Sequence, residues 1–286
     1  MRIAFQGAAG AYSEAAANRH WPHAETVGFE TFEEVFTAVA AGRVSHGLLP
    51  VENSIGGSIH RNYDLLLEYD LPIVGETELP VVHNLLALPG VELADIRRVF
   101  SHPQGLAQCE QYLKRRPGVE LVATYDTAGS ARMIRDGDLR DTAAIASARA
   151  AELFGLHVLQ PGIQDYPDNV TRFILIARES PPPEAPDKTT IAFALYNAPG
   201  ALFKALSVFA LRDIDLTKLE SRPARGRPWE YVFFADLAAG RTDLRCGRAI
   251  VHLAEFARWV RTLGSYPRSQ GDSPSKGTVP LKGQSP

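Results

Sequence analysis

The chain has 286 residues, enough for two domains, and its 45% hydrophobic and 22% charged content is that of an ordinary globular protein. A net charge of -3 with both signs interspersed leaves no basic footprint for nucleic acid or an anionic membrane surface, so neither partner is expected. Cys109 and Cys246 are too few and too far apart for a disulfide framework or a metal site, and no apolar stretch has the length of a signal core or a membrane span; a reduced, cytoplasmic, metal-free protein is expected.

Residues 2–6 read as a short strand, Gly7-Ala8-Ala9-Gly10 as a turn, and Ser13 as the cap of a helix through Glu14 and Ala17. With a second strand near Val27 and Phe29 ending in Glu30, the pattern invites a dinucleotide site, but that fingerprint needs a glycine where Phe5 stands. A tight turn is the plainer reading, and a nicotinamide oxidoreductase rests on that turn alone. Phe32, Val35, Phe36 and Val39 recur at helical spacing behind a Thr31/Glu34 capping box. A buried strand, 47–51, then runs into Glu52-Asn53-Ser54-Ile55-Gly56-Gly57-Ser58, a small polar loop that lets backbone approach a ligand closely before a helix over 62–67.

A new strand is predicted over 80–88, and a strand at Val99 and Phe100 leads into Ser101-His102-Pro103-Gln104. Beyond it Leu106, Cys109 and Leu113 keep helical spacing. Ser101 and Gln108 flank the start of that helix, where free N–H groups attract carboxylates, whereas His102 in a His-Pro turn reads as structural. Asp126 and Thr127 can cap a helix to Arg135, Ser147 another ending at Gly155, with strands at 143–146 and 157–160. Two βα clusters, left near residue 79 and regained near 160, describe a two-lobed cleft protein. Asp168-Asn169-Val170-Thr171-Arg172-Phe173 then opens the apolar run 174–177, so these polar residues lie at a strand mouth. Alternation puts Thr171 and Phe173 on one face and Arg172 on the other, so one of Thr171 and Arg172 faces the crevice, not both.

The proline-rich stretch 181–187 is the clearest domain boundary. Past it come a strand (189–196), Pro199-Gly200, a helix carrying Leu202, Leu206 and Phe209, strands at 214–220 and 229–236, and a helix striped by Leu253, Phe256, Val260 and Leu263 ending at Gly264. With a possible edge strand at Ser265-Tyr266 this is the ferredoxin-like order. The Ser/Gly/Pro-rich residues after Pro267 are expected to be disordered.

Five motifs in this order resemble the prephenate dehydratase family and the similar arogenate dehydratases: residues 51–54, 101–104, 168–173, Gly200-Ala201-Leu202-Phe203 and Glu220-Ser221-Arg222-Pro223. The resemblance implies an α/β, two-lobed, periplasmic-binding-protein-like catalytic domain over 1–180, with lobe one at 1–79 and 160–180 and lobe two at 80–159. It also implies a 181–187 linker, a ferredoxin-like βαββαβ ACT domain over 188–266 and a 267–286 tail. It implies loss of carbon dioxide and water from prephenate without a cofactor, Thr171 helping the hydroxyl leave and Glu52, Asn53, Ser101, Gln108, Asn169, Arg172 and Phe173 around the substrate. Arogenate as substrate, and a clefted binding protein without catalysis, are the alternatives. Phenylalanine is the expected effector, held by Gly200, Ala201, Leu202, Glu220, Ser221 and Arg222 at an interface of a homodimer or homotetramer. Asp215 stands where relatives often carry Asn, which bears on effector affinity.

Overall fold

The computed structural model describes residues 1–179, 185–224, 226–227 and 229–269. The chain opens with β1 (Arg2–Gln6), α1 (Tyr12–His20), β2 (Glu25–Phe29), α2 (Phe32–Ala40), β3 (His46–Asn53), β4 (Gly57–Ser58), α3 (His60–Glu68) and β5 (Ile73–Pro80). A second group follows: β6 (Asn84–Ala87), β7 (Arg98–Ser101), α4 (Pro103–Ala107), α5 (Glu110–Lys114), β8 (Glu120–Ala123), α6 (Thr127–Asp136), β9 (Thr142–Ala146), α7 (Ala148–Phe154) and β10 (His157–Gln160). The chain returns through β11 (Val170–Ala177) and closes with β12 (Lys188–Leu195), α8 (Ala201–Ala210), β13 (Leu216–Pro223), β14 (Tyr231–Leu237), α9 (Leu244–Ala254) and β15 (Ala257–Tyr266).

The second group forms its own sheet, β10-β6-β9-β7-β8, around a separate aliphatic core. The first group joins β11 in the order β2-β1-β3-β11-β5, so the backbone crosses between lobes twice, after β5 and before β11. These two strands lie side by side and antiparallel, which places both crossings at one hinge. The C-terminal strands run β15-β12-β14-β13, the βαββαβ connectivity expected from sequence. This module does not hang free. β15 reaches β5 at Gly264 and Ile73, where a Cβ on residue 264 would collide with the Ile73 carbonyl. Phe234, Leu263 and Tyr266 share one apolar core with Val35, Leu49 and Ile174 of the first lobe.

Local chemistry accounts for most element ends. Thr31 and Glu34 form the predicted capping box, Asp126 and Ser147 cap α6 and α7, and Gly155 ends α7 in a left-handed conformation. Five expectations are corrected. Ser13 lies inside α1, whose cap is Ala11 without a side-chain bond. Residues 73–80 and 120–123 are strands that the sequence reading passed over. The strand predicted over 80–88 is confined to Asn84–Ala87. The helix through Leu106 and Leu113 breaks in two at Gln108 and Cys109. Finally, α9 stops at Ala254, and Val260 and Leu263 belong to the ten-residue strand β15, which lies between β12 and β5 instead of at an edge. Short helical spacing cannot be told from strand alternation when a helix runs directly into a strand. Most of the proline linker, 180–184, and the tail from residue 270 lie outside the described residues.

Candidate active site

A cavity of about 380 Å³ opens between the two lobes at the hinge. Its floor is the β3–β11 pair, where Thr171 sits directly opposite Asn53 and Arg172 opposite Glu52. The register slips between Arg172 and Phe173, so Phe173 pairs with Pro50 and Val51 is left as a bulge. Bulges of this kind re-aim side chains beside sites, and Asn53, Thr171, Phe173 and Pro50 all line the cavity.

The orientation of the polar groups follows from two backbone donors. The N–H groups of Ile55 (3.1 Å) and Gly56 (2.7 Å) both donate to Asn53 Oδ1, which turns its amide nitrogen toward the strand. That nitrogen donates to Asn169 Oδ1 at 2.6 Å and to Thr171 Oγ at 3.0 Å. Asn169 must then present its own NH₂, which donates to Gln108 Oε1 at 3.2 Å. The same oxygen accepts from His83 Nε2 at 2.7 Å, and the other ring nitrogen meets the Tyr12 hydroxyl at 2.9 Å. Burial pushes the His83 imidazole below its ordinary range, against the opposing pull of Gln108, and pushes the Tyr12 phenol up, with a lesser effect from Cys109. The neutral ring donates from Nε2, and its Nδ1 shares the single Tyr12 hydroxyl hydrogen with the Val82 carbonyl, which accepts from that hydroxyl at 2.8 Å. Tyr12 comes from lobe one, Gln108 from lobe two and His83 and Asn169 from the crossings, so one relay ties the site across the hinge.

Two donors are left over by this relay. Among the described residues, Thr171 Oγ accepts from Asn53 and donates to nothing, and the Gln108 NH₂ has no partner. Both line the cavity. An oriented O–H of this kind can stabilise an oxygen on which negative charge develops.

Other expected site residues fall elsewhere. Ser101 is buried beneath α4, its hydroxyl donating to the Ile145 carbonyl at 2.9 Å. Glu52 and Arg172 point through the sheet to its other face, as alternation requires. Arg172 meets Asp236 at 2.6 Å and Glu76 at 3.0 Å, and Glu52 meets Lys218 at 3.0 Å. Arg172 and Glu52 are therefore contacts to the C-terminal module rather than to the cavity. Tyr12, Ser13, His83, Asp126 and Thr127 line the cavity without a signal in the motifs, and His102 and Gln104 of the 101–104 motif line it with them. His83 had a readable signal, a lone imidazole closing the first crossing.

The glycine turn has a different use from nucleotide binding. Gly10, at φ +90, lies where a Cβ would stand 3.2 Å from the Ala150 backbone of the other lobe, and its N–H is taken by buried Glu14 at 2.6 Å. A carboxylate already occupies the donor that a phosphate would need.

In the C-terminal module, Gly200 begins α8 at φ +76, and Ala201 and Leu202 line a cavity of about 220 Å³ with Tyr196, Trp229, Tyr231 and Arg258. Glu220 and Arg222 are on the far side, bonded to Ser58 (2.7 Å) and Asp64 (3.1 Å) of lobe one, while Ser221 is exposed on the opposite face of β13. Within one chain these two groups do not share a pocket. Asp215 is exposed, its carbonyl accepting from Ala238 N at 2.8 Å.

A single hydroxyl donor, aimed by an amide into a cleft closed by two lobes, suits an enzyme that helps a small molecule shed an oxygen, a carbon–oxygen lyase. The profile of prephenate dehydratase matches residues 3–181. An arogenate dehydratase/prephenate dehydratase of Arabidopsis thaliana is 51% identical over 93% of this chain and 69% of its own length. Eight curated plant relatives at 48–51% identity all carry arogenate dehydratase in their names. Among solved structures, a prephenate dehydratase from Arthrobacter aurescens in complex with L-Phe superposes with a TM-score of 0.86 at 34% identity, covering 94% of this chain and 90% of that one. A protein described as GqqA, a quorum quenching acylase, superposes with a TM-score of 0.87 at 38% identity, covering 94% and 99%. The chain belongs to the prephenate dehydratase family and is a lyase of aromatic amino-acid biosynthesis. Among the described residues no helix is long and apolar enough to cross a membrane.

Proposed function

We propose that the chain catalyses the decarboxylating dehydration of arogenate to phenylalanine, with prephenate as a second substrate giving phenylpyruvate. The observation that carries the reaction is the free Thr171 O–H, set by Asn53. As the ring carboxylate leaves as carbon dioxide, its bonding electrons enter the ring, and the C–O bond on the opposite side breaks. Aromatisation drives the step, and the departing hydroxide takes up one proton, passed through the Thr171 hydroxyl and restored to it from solvent, to become water. Thr171 donates its hydrogen bond to that oxygen where charge develops, and the Gln108 NH₂ holds a carboxylate. The names of the plant relatives support arogenate ahead of prephenate.

The C-terminal module acts as an ACT domain that binds phenylalanine between two copies of the chain, in a homodimer or homotetramer. The solved relative with L-Phe and the cavity beside Ala201 and Leu202 support this reading. Purified protein offered each substrate, with phenylalanine and phenylpyruvate measured separately, tests the activity. Faster phenylalanine formation is expected, and failure to convert either substrate would remove the proposal.

A further inference from the structure

Among the described residues the cavity lining holds glutamine, asparagine, threonine, serine, tyrosine and histidine side chains, and neither lysine nor arginine. Asp126 is the one Asp or Glu among the described lining residues. Its Oδ1 accepts the Gly129 N–H as the cap of α6; among the described residues, Oδ2 makes no hydrogen bond and the carboxylate makes no ion pair. Behind it the cleft continues into a recess bounded by Gly7, Glu30, Tyr125 and Arg132, and Asp126 lines both spaces. The Tyr125 hydroxyl donates to the Glu30 carbonyl across the two lobes at 3.1 Å.

An isolated carboxylate is a poor neighbour for a dianion and a good one for an ammonium. Arogenate and prephenate share the ring, its carboxylate and its hydroxyl; they differ in the side chain, which ends in an ammonium with a carboxylate in one and a keto group with a carboxylate in the other. The first carries one net negative charge and the second two. We propose that Asp126 is a specificity-determining residue that reads the side-chain ammonium of arogenate, with Arg132 in the adjoining recess available to the side-chain carboxylate. This rests on the dehydratase reading above and specifies which substrate that site prefers. The partial positive charge at the start of α6 offsets part of the Asp126 charge, but the helix supplies no acceptor for an ammonium, whereas Oδ2 does.

The test compares wild type with Asp126→Asn and Asp126→Ser, both of which retain a capping oxygen, so that α6 keeps its start. kcat/KM is measured with arogenate and with prephenate for each protein, alongside the melting temperature. The expected result is a fall of at least ~10-fold in the arogenate-to-prephenate ratio of kcat/KM, the scale of a charge-assisted hydrogen bond, carried mainly by KM for arogenate. A ratio unchanged in both variants, or a parallel loss on both substrates, would reduce Asp126 to a helix cap and overturn the inference. Wild-type protein inert toward both substrates would instead overturn the dehydratase reading, and the inference with it.

Discussion

Replacing Arg172 with Met tests the claim that this residue serves the far side of the sheet. Its guanidinium side chain is 12% exposed and lies between Asp236, 3% exposed, and Glu76, 4% exposed; Lys188, 7% exposed, sits 2.8 Å from Glu76. Burial alone would weaken the Arg172 charge, but Asp236, Tyr266 and Glu76 reverse that and hold it protonated. Glu52 also reaches Arg172 at 3.5 Å and Lys218 at 3.0 Å, so these linked groups are three cations against three carboxylates. Removing one cation leaves a buried net charge of minus one, which costs about 3 to 5 kcal/mol. For a chain of this size that corresponds to a fall of roughly 5 to 8 °C in melting temperature. Because the cluster joins the C-terminal module to the first lobe, calorimetry should show melting that is broader or more clearly split than in wild type. Adding Asp236→Asn restores neutrality, leaving Lys188 with Glu76, and the double variant should recover more than half of the loss. A melting temperature within ~1 °C of wild type for the single variant, or a double variant no better than the single, would refute the cluster as the link between modules.

Asn53→Ala should lower kcat/KM by about tenfold to a hundredfold, the worth of ~1 to 3 kcal/mol from a lost orienting bond, and Asn53→Asp should be worse because a carboxylate has no N–H for Thr171; equal activity in Asn53→Ala would show that Thr171 is aimed by something else. His83 gives a pH prediction. Its folded value lies below the ordinary 6.5, so as pH falls the unfolded chain takes the proton first. Its contribution to stability is full above 6.5 and is lost as pH falls toward the folded value. A melting temperature that declines between pH 7 and 5, less steeply in His83→Gln, is expected, and kcat should show no inflection at 6.5; an inflection there that disappears in His83→Gln would contradict the neutral relay.

The strand mouth around Thr171 was legible in sequence because alternation is a rigid rule: Thr171 and Phe173 on one face, Arg172 on the other. Which face meets the cleft was not legible, since it depends on strands far apart in sequence finding one another, as Asn53 and Thr171, 118 residues apart, do. Motif membership grouped Glu52 with Asn53 and Arg172 with Thr171, yet adjacent residues on a strand serve opposite sides of a sheet. Here one side is the cleft and the other is the C-terminal module. Ser101 misled for a related reason: a hydroxyl at a helix start can serve a ligand or, as with the Ile145 carbonyl, the neighbouring strand. The docking of β15 on β5 through Gly264 had no local signature at all, because glycine at a close approach looks like any helix stop.

In the proposed reaction the Thr171 hydroxyl, aimed by Asn53, assists the departure of the substrate's oxygen. Steady-state kinetics of Thr171→Val with arogenate, a substitution that keeps shape and removes the O–H, isolates that contribution. A fall of at least ~100-fold in kcat with KM changed by less than about threefold is the predicted result. Near-normal kcat in a folded Thr171→Val protein would contradict the account.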